Sequence, residues 1–141
     1  MTAYAGAAPL IKNKTYISPA AGILAVEAYH GGIIRSLLYQ NKDTMTPYNM
    51  TVAEVIQGIS TLRDVVDGAS DDDQGITMET ANGEEANLVP ANANGLVYTR
   101  SPAQVLDIVT LGKGQSGGGF FPNGLNGYFS AANAAATEGT S

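Results

Sequence analysis

The sequence predicts a mainly α-helical chain with one long bundle-type helix, one amphipathic helix and one short helix, joined by long Gly/Asn-rich loops. Three observations carry this. Residues 18–40 hold apolar side chains at helical spacing around much of the girth. Residues 51–67 set a single apolar stripe between a capping box and a glycine. Residues 101–112 repeat the capping-box spacing ahead of a shorter apolar run. With 141 residues, 44% of them hydrophobic, the chain supports one core and one domain. Only 14% charged residues and as many as 17 glycines point to long, weakly charged connections.

Residues 1–17 read as an irregular loop, with Gly6, Pro9 and the polar KNKT. Ser18-Pro19 then reads as a helix start, because Ser is a good N-cap and Pro suits the first helical position. Ile23, Val26, Glu27, His30, Ile34 and Leu37 share one face of the helix that follows. Leu24, Ala28, Arg35 and Leu38 cover an adjoining strip. Gly31-Gly32 weakens this helix by about 1 kcal/mol per glycine and lets another backbone come close. After the loop NKDTMTPYNM, Thr51 and Glu54 form the capping box. Val52, Val55, Ile59, Leu62 and Val66 make the stripe expected to cover a core, and Gly68 stops the helix.

Residues 68–100 read as a long loop with a short extended piece near Asn87–Pro90. Asp71, Asp72 and Asp73 lack the alternate spacing and closing glutamate of a calcium loop, so a solvated turn is expected. Ser101-Pro102 with Gln104 starts the third helix, packed through Val105, Leu106, Ile108 and Val109 and ending near Gly112. Residues 113–141 read as a glycine-rich loop and tail, with Phe120 and Phe121 docked as anchors. No strand precedes that loop and no Gly-Lys-Ser/Thr occurs in it, so it is not read as a phosphate loop.

Several function classes fall away. A net charge of −6 repels phosphate backbones, so no nucleic-acid partner is expected. Zero cysteines exclude disulfide scaffolds and thiol nucleophiles. Glu27, His30 and Arg35 interrupt the most apolar stretch, so no transmembrane segment is expected. The start MTAYAGAAPLIKNK lacks the pattern of a signal peptide. Asn13-Lys14-Thr15 and Asn49-Met50-Thr51 are glycosylation sequons that matter only in a secretory pathway. Without a Gly-x-Ser-x-Gly elbow or a facing acid pair, no catalytic residues are assigned.

One chemical pattern remains. Glu27 and His30, the only histidine, lie at i and i+3 on one helix. Ferritin-like carboxylate proteins use such Glu-x-x-His pairs, with a further Glu from each of two other helices. Oxygen and imidazole ligands suit iron or manganese, and zinc can also bind. Against this, His30 can simply hydrogen-bond a carbonyl or Glu27, and Arg35 can neutralise a carboxylate from another segment.

The order of segments then becomes specific. AYAGAAPLI, AAGILAVEAYHGGIIRSLLYQ, PYNMTVAEVIQGISTLRD and LVYTRSPAQVLDIVTLGKGQSGGGFFPNGLNG together resemble the desiccation-related proteins of the ferritin-like superfamily, over residues 3–128. The resemblance implies a ferritin-like four-helix bundle followed by a C-terminal extension, in proteins often secreted or wall-associated that accumulate on drying. It implies no firm enzymatic activity. Plant members tend to lose the histidine that this sequence keeps as His30. By the same resemblance, residues 19–40 would be the fourth bundle helix. The other three, with a second Glu-x-x-His and both single glutamates, would lie ahead of the AYAGA segment where this chain begins.

The fold expected is therefore an incomplete ferritin-like bundle, completed by missing N-terminal helices or by self-association. Glu27 and His30 become a half-site for iron or manganese. Glu54 is a candidate inward carboxylate, but it sits at a capped helix start, off the apolar stripe. Three functional expectations follow: a non-enzymatic desiccation or stress protein acting by assembly or protection, a di-metal carboxylate protein completed from outside the chain, or an extracellular self-assembling subunit.

Overall fold

The structure, a computed structural model, describes residues 1–68, 72–113 and 117–125. Its elements are α1 (Thr2–Ala7), 3-10 turns at Ala8–Leu10 and Lys14–Tyr16, α2 (Ile17–Gln40), α3 (Val52–Asp67), β1 (Thr77–Thr80), β2 (Gly83–Ala86) and α4 (Pro102–Thr110). The mainly α-helical partial bundle is observed. The expectations for residues 69–71, 114–116 and 126–141, Asp71 and the tail among them, lie outside the described residues.

The first correction is at the N-terminus, where residues 1–17 are not a loop. Alanine-rich α1 packs against Arg100. Arg100 N–H donates to the Thr2 carbonyl at 3.2 Å, and a Cβ added at Gly6 would meet the Arg100 carbonyl oxygen at 2.0 Å. Only glycine permits that approach, and tertiary contact stabilises a helix too short to form alone. Nor is Ser18 the cap of α2. Tyr16 is already helical (φ −89°, ψ −12°), and the 3-10 turn before it is capped by Asn13, whose Oδ1 accepts from Thr15 N–H at 3.0 Å. Pro19 therefore sits inside the first turn, where its missing N–H is tolerated.

The 24 residues of α2 include none that is buried. The strip turned toward the chain is Leu24, Glu27, Gly31, Arg35 and Leu38, all half-buried. The strip expected to face a core is instead open, with Ile34 and Leu37 56% and 55% exposed. By length and composition alone, Lys14–Gln40 is long and apolar enough to cross a bilayer, contrary to expectation. A core helix of a bundle meets the same description. Arg35 is tethered to loop carbonyls, which ties this helix to the remainder of the chain.

The capping box of α3 is as expected, with Glu54 N–H donating to Thr51 Oγ1 at 3.2 Å and Thr51 N–H to Glu54 Oε2 at 2.7 Å. Its stripe is covered only in part. Val52, Val55 and Val66 are half-buried along with Ile56 and Asp64, Ser60 and Asp67 are buried, and Ile59 and Leu62 stay half exposed. Energetics account for this. Half-exposing an aliphatic side chain costs about 1 kcal/mol, whereas a buried charge without its partner costs about 3–5 kcal/mol. Pairing Asp67 with Arg100 therefore wins over burying the whole stripe.

The expected long loop at 68–100 contains an antiparallel hairpin, with Thr77 opposite Ala86 and Thr80 opposite Gly83. Its turn is Ala81-Asn82, followed by Gly83 at φ +102°. Three glutamates mask the strands, but Asn-Gly is a hairpin signal. Asn87 lies directly after β2. It is a buried polar hub whose N–H donates to the Ile76 carbonyl at 2.8 Å. Ile76 itself is the only buried apolar side chain among the described residues.

The short helix α4 keeps its Ser101/Gln104 capping box and ends at Leu111 (φ +56°) and Gly112 (φ +71°). It packs on α3 and α1. Phe120 as an anchor is a further correction, whereas Phe121 is 41% exposed and lines an apolar cleft with Val105, Leu106 and Val109. The Phe120 ring is 83% exposed, and it is the Phe120 backbone N–H that docks, on the Val109 carbonyl at 2.9 Å. The close backbone approach needs glycine beside it, since a Cβ at Gly119 would sit 2.5 Å from that same carbonyl oxygen.

Candidate functional site

Glu27 and His30 stand in different surroundings in this chain. Glu27 lies on the chain-facing strip of α2, and one carboxylate oxygen is 2.5 Å from the α-amino group of Met1. His30 is exposed on the open apolar strip. Among the described residues, no third histidine or carboxylate joins them to make a ligand group. Two side chains are too few for a di-metal centre, so these residues by themselves do not fit one. Glu54 is not brought near either, because its carboxylate is spent on the Thr51 cap, and those hydrogen bonds hold its pKa below the ordinary value. Asn13 and Asn49 are both exposed, Asn13 with its Oδ1 engaged as a cap and Asn49 in a left-handed turn at φ +57°.

The polar centre of the structure is elsewhere, where α3, α4, α1 and the Asp72–Gln74 segment meet. Arg100 is 1% exposed. Its Nε donates to Asp67 Oδ2 at 2.7 Å, its Nη2 to Asp73 Oδ2 at 2.5 Å and its Nη1 to Thr2 Oγ1 at 2.7 Å. Arg63 adds a contact at 3.0 Å to Asp73 Oδ1. Asp73 is thus a buried ion-pair partner, with its side chain 5% exposed, and not part of the expected solvated turn. Burial pushes its carboxyl above the ordinary range, Arg63 and Arg100 pull it back, and the like charge of Asp67 pushes it up again. Asp64 completes the group, for Asp64, Asp67 and Asp73 each offer an oxygen within 4.8 Å of the others.

Sequence reasoning missed these residues. A signal existed: Asp64 and Asp67 occupy the last turn of a helix that has no basic residue there, which is the wrong sign for a helix C-terminus. Arg35 also departs from expectation. It finds backbone oxygens and not a carboxylate, with Nε on the Asn87 carbonyl at 2.8 Å, Nη1 on the Gln74 carbonyl at 3.1 Å and Nη2 on the Gly75 and Asn87 carbonyls. Burial lowers its pKa from the free value. Between Gly31-Gly32 of α2 and the Leu88–Tyr98 segment lies a cleft of about 400 Å³, reached by Arg35, Arg63 and Arg100. Each of these arginines already has an acceptor within the chain.

Comparison with known proteins matches residues 1–40 to a ferritin-like domain. These residues are α1, the two 3-10 turns and α2. The chain is 33% identical over 133 residues to the ferritin-like catalase Nec2 of Nesocodon mauritianus, covering 90% of this chain and 43% of that protein. It is 36% identical over 115 residues to the desiccation-related protein PCC13-62 of Craterostigma plantagineum, covering 78% of this chain and 37% of that one. The chain belongs to the ferritin-like desiccation-related family. It spans about two fifths of the length of these curated relatives. No solved structure matches it. For a ferritin-like protein, an exposed apolar α2 has a direct reading, because such a helix is ordinarily surrounded by three others.

Proposed function

We propose that this chain contributes one helix and the C-terminal extension to a ferritin-like, stress-associated assembly, and that it acts through association and protection, not catalysis. The observation that carries this is the open apolar strip of α2, where Ile23, Val26, Ile33, Ile34 and Leu37 are all at least 45% exposed. Apolar surface of that extent on a helix marks an interaction face. The helices that cover it come from outside these residues or from a second copy. The name of the Craterostigma relative supports the stress association. Analytical ultracentrifugation tests the reading. Concentration-dependent association that is lost in Ile34→Glu is expected, and a monodisperse monomer at all concentrations would refute it.

A second reading is favoured by the Nesocodon relative, which is named a catalase. In that reading Glu27 and His30 are half of a ligand set for iron or manganese, completed when the bundle is. Bound there, such a metal would supply redox chemistry. In this chain Glu27 would have to leave the Met1 ammonium, while His30 already lies open to incoming helices. Metal analysis of the assembled bundle decides between the readings. Stoichiometric iron or manganese that disappears in His30→Ala favours the second, and no retained metal favours the first.

A further inference from the structure

The Asp64–Asp67–Asp73 group is short of positive charge. Three carboxylates meet two guanidiniums, Arg63 and Arg100. Those guanidiniums satisfy Asp67 Oδ2 and both oxygens of Asp73. Three oxygens are left over, among them Asp64 Oδ1 and Asp67 Oδ1. These two are buried, and neither receives a hydrogen bond among the described residues. The Asp67 side chain is completely buried, so bulk water does not reach that oxygen. Buried anionic oxygens are ordinarily paired, protonated or bound to a metal.

Position sharpens the point. Asp64 and Asp67 lie in the last turn of α3, where the helix presents the negative end of its dipole and carries no basic residue of its own. Ser60, one turn earlier on the same face, is also buried with an unpartnered hydroxyl. The fold therefore concentrates acceptors at a site that a cation would complete.

We propose that Asp64, Asp67 and Asp73 hold one hard divalent cation of the calcium class at the C-terminus of α3. The donors are all oxygen, which selects calcium, manganese or magnesium over softer metals. The three ligand atoms lie within 4.8 Å of one another, and an ion with bonds of about 2.4 Å can reach them all with small side-chain adjustments. Magnesium's shorter bonds and strict octahedron suit this set less well. The ion would fasten Asp73 to the end of α3. The site uses no residue of α2 and stands apart from Glu27 and His30.

Isothermal titration of chelator-treated full-length protein with calcium chloride tests this, beside Asp64→Asn and His30→Ala. Asp64 makes no contact with Arg100, so Asp64→Asn leaves the ion pairs intact. One calcium per chain is expected. Its affinity should fall at least about tenfold in Asp64→Asn and stay unchanged in His30→Ala. Absence of saturable binding up to roughly millimolar calcium overturns the site. Equal affinity in wild type and Asp64→Asn overturns it too. Should Asp64→Asn lose its circular-dichroism signal, manganese broadening of wild-type amide resonances decides. Selective loss at residues 60–67 and 72–74 supports the site, and loss elsewhere or nowhere removes it.

Discussion

The two halves of this molecule bury opposite things. Helix α2 keeps Ile23, Val26, Ile33, Ile34 and Leu37 at the surface, whereas the junction of α3, α4 and α1 hides an arginine and two aspartates. Elsewhere the interior is hardly more apolar: among the described residues Ser60, Asn87 and Thr110 are buried, and Ile76 is the only buried apolar side chain. The difference teaches how each region is held. The elements of that junction are positioned by directional hydrogen bonds between charged groups, which fix geometry without a large core. Helix α2 is built for non-directional apolar contact and lacks the surface that would provide it.

That contrast can be broken most forcefully at Arg100. Arg100→Ala leaves Asp67 buried without its cation and Asp73 with Arg63 alone, and a loss of about 3–5 kcal/mol is expected in urea denaturation. A loss below about 1 kcal/mol would mean that the ion pairs do not organise the junction. Gly6→Ala should follow, because its methyl group cannot coexist with the Arg100 carbonyl at the present spacing. Displacement of α1 by overpacking costs about 1–3 kcal/mol. Thr51→Ala removes half of the α3 capping box and should cost about 1 kcal/mol, read as a lower urea midpoint with an unchanged slope.

Ile34→Glu sharpens the other side of the comparison. An exposed position on an uncovered helix should change the stability of the isolated chain by no more than about 0.5 kcal/mol while abolishing association. A large loss of stability would show that this strip is already packed. The smallest effect concerns pH. The raised pKa of Asp73 means that the folded state holds its proton more tightly than the unfolded one. Its contribution to stability is therefore present below the ordinary carboxyl value of 3.8 and is lost as pH rises through the raised value. Asp73→Asn should flatten that dependence in urea midpoints measured from about pH 3 to about pH 6.

Much of the local structure was legible in the sequence. Thr51/Glu54 and Ser101/Gln104 announce their helices because a capping box is a contract between residues three apart. The long helix to Gln40 follows from apolar spacing. The hairpin at 77–86 was obscured because its strands carry glutamates, and only Asn82-Gly83 betrays the turn. α1 was illegible because it exists by virtue of Gly6 meeting a residue 94 positions away.

Of the candidate site, the sequence alone could pair Glu27 with His30 by spacing, since helical periodicity places i and i+3 side by side. It could not reveal that their surroundings differ, Glu27 turned to the chain and His30 left open. Nor could it bring Asp64, Asp67, Asp73 and Arg100 into one buried group. Periodicity and capping are local, and one sequence carries them in full. The packing of α3 depended on a competition between an apolar stripe and a buried charge, and such a competition has an outcome only once distant residues share a space.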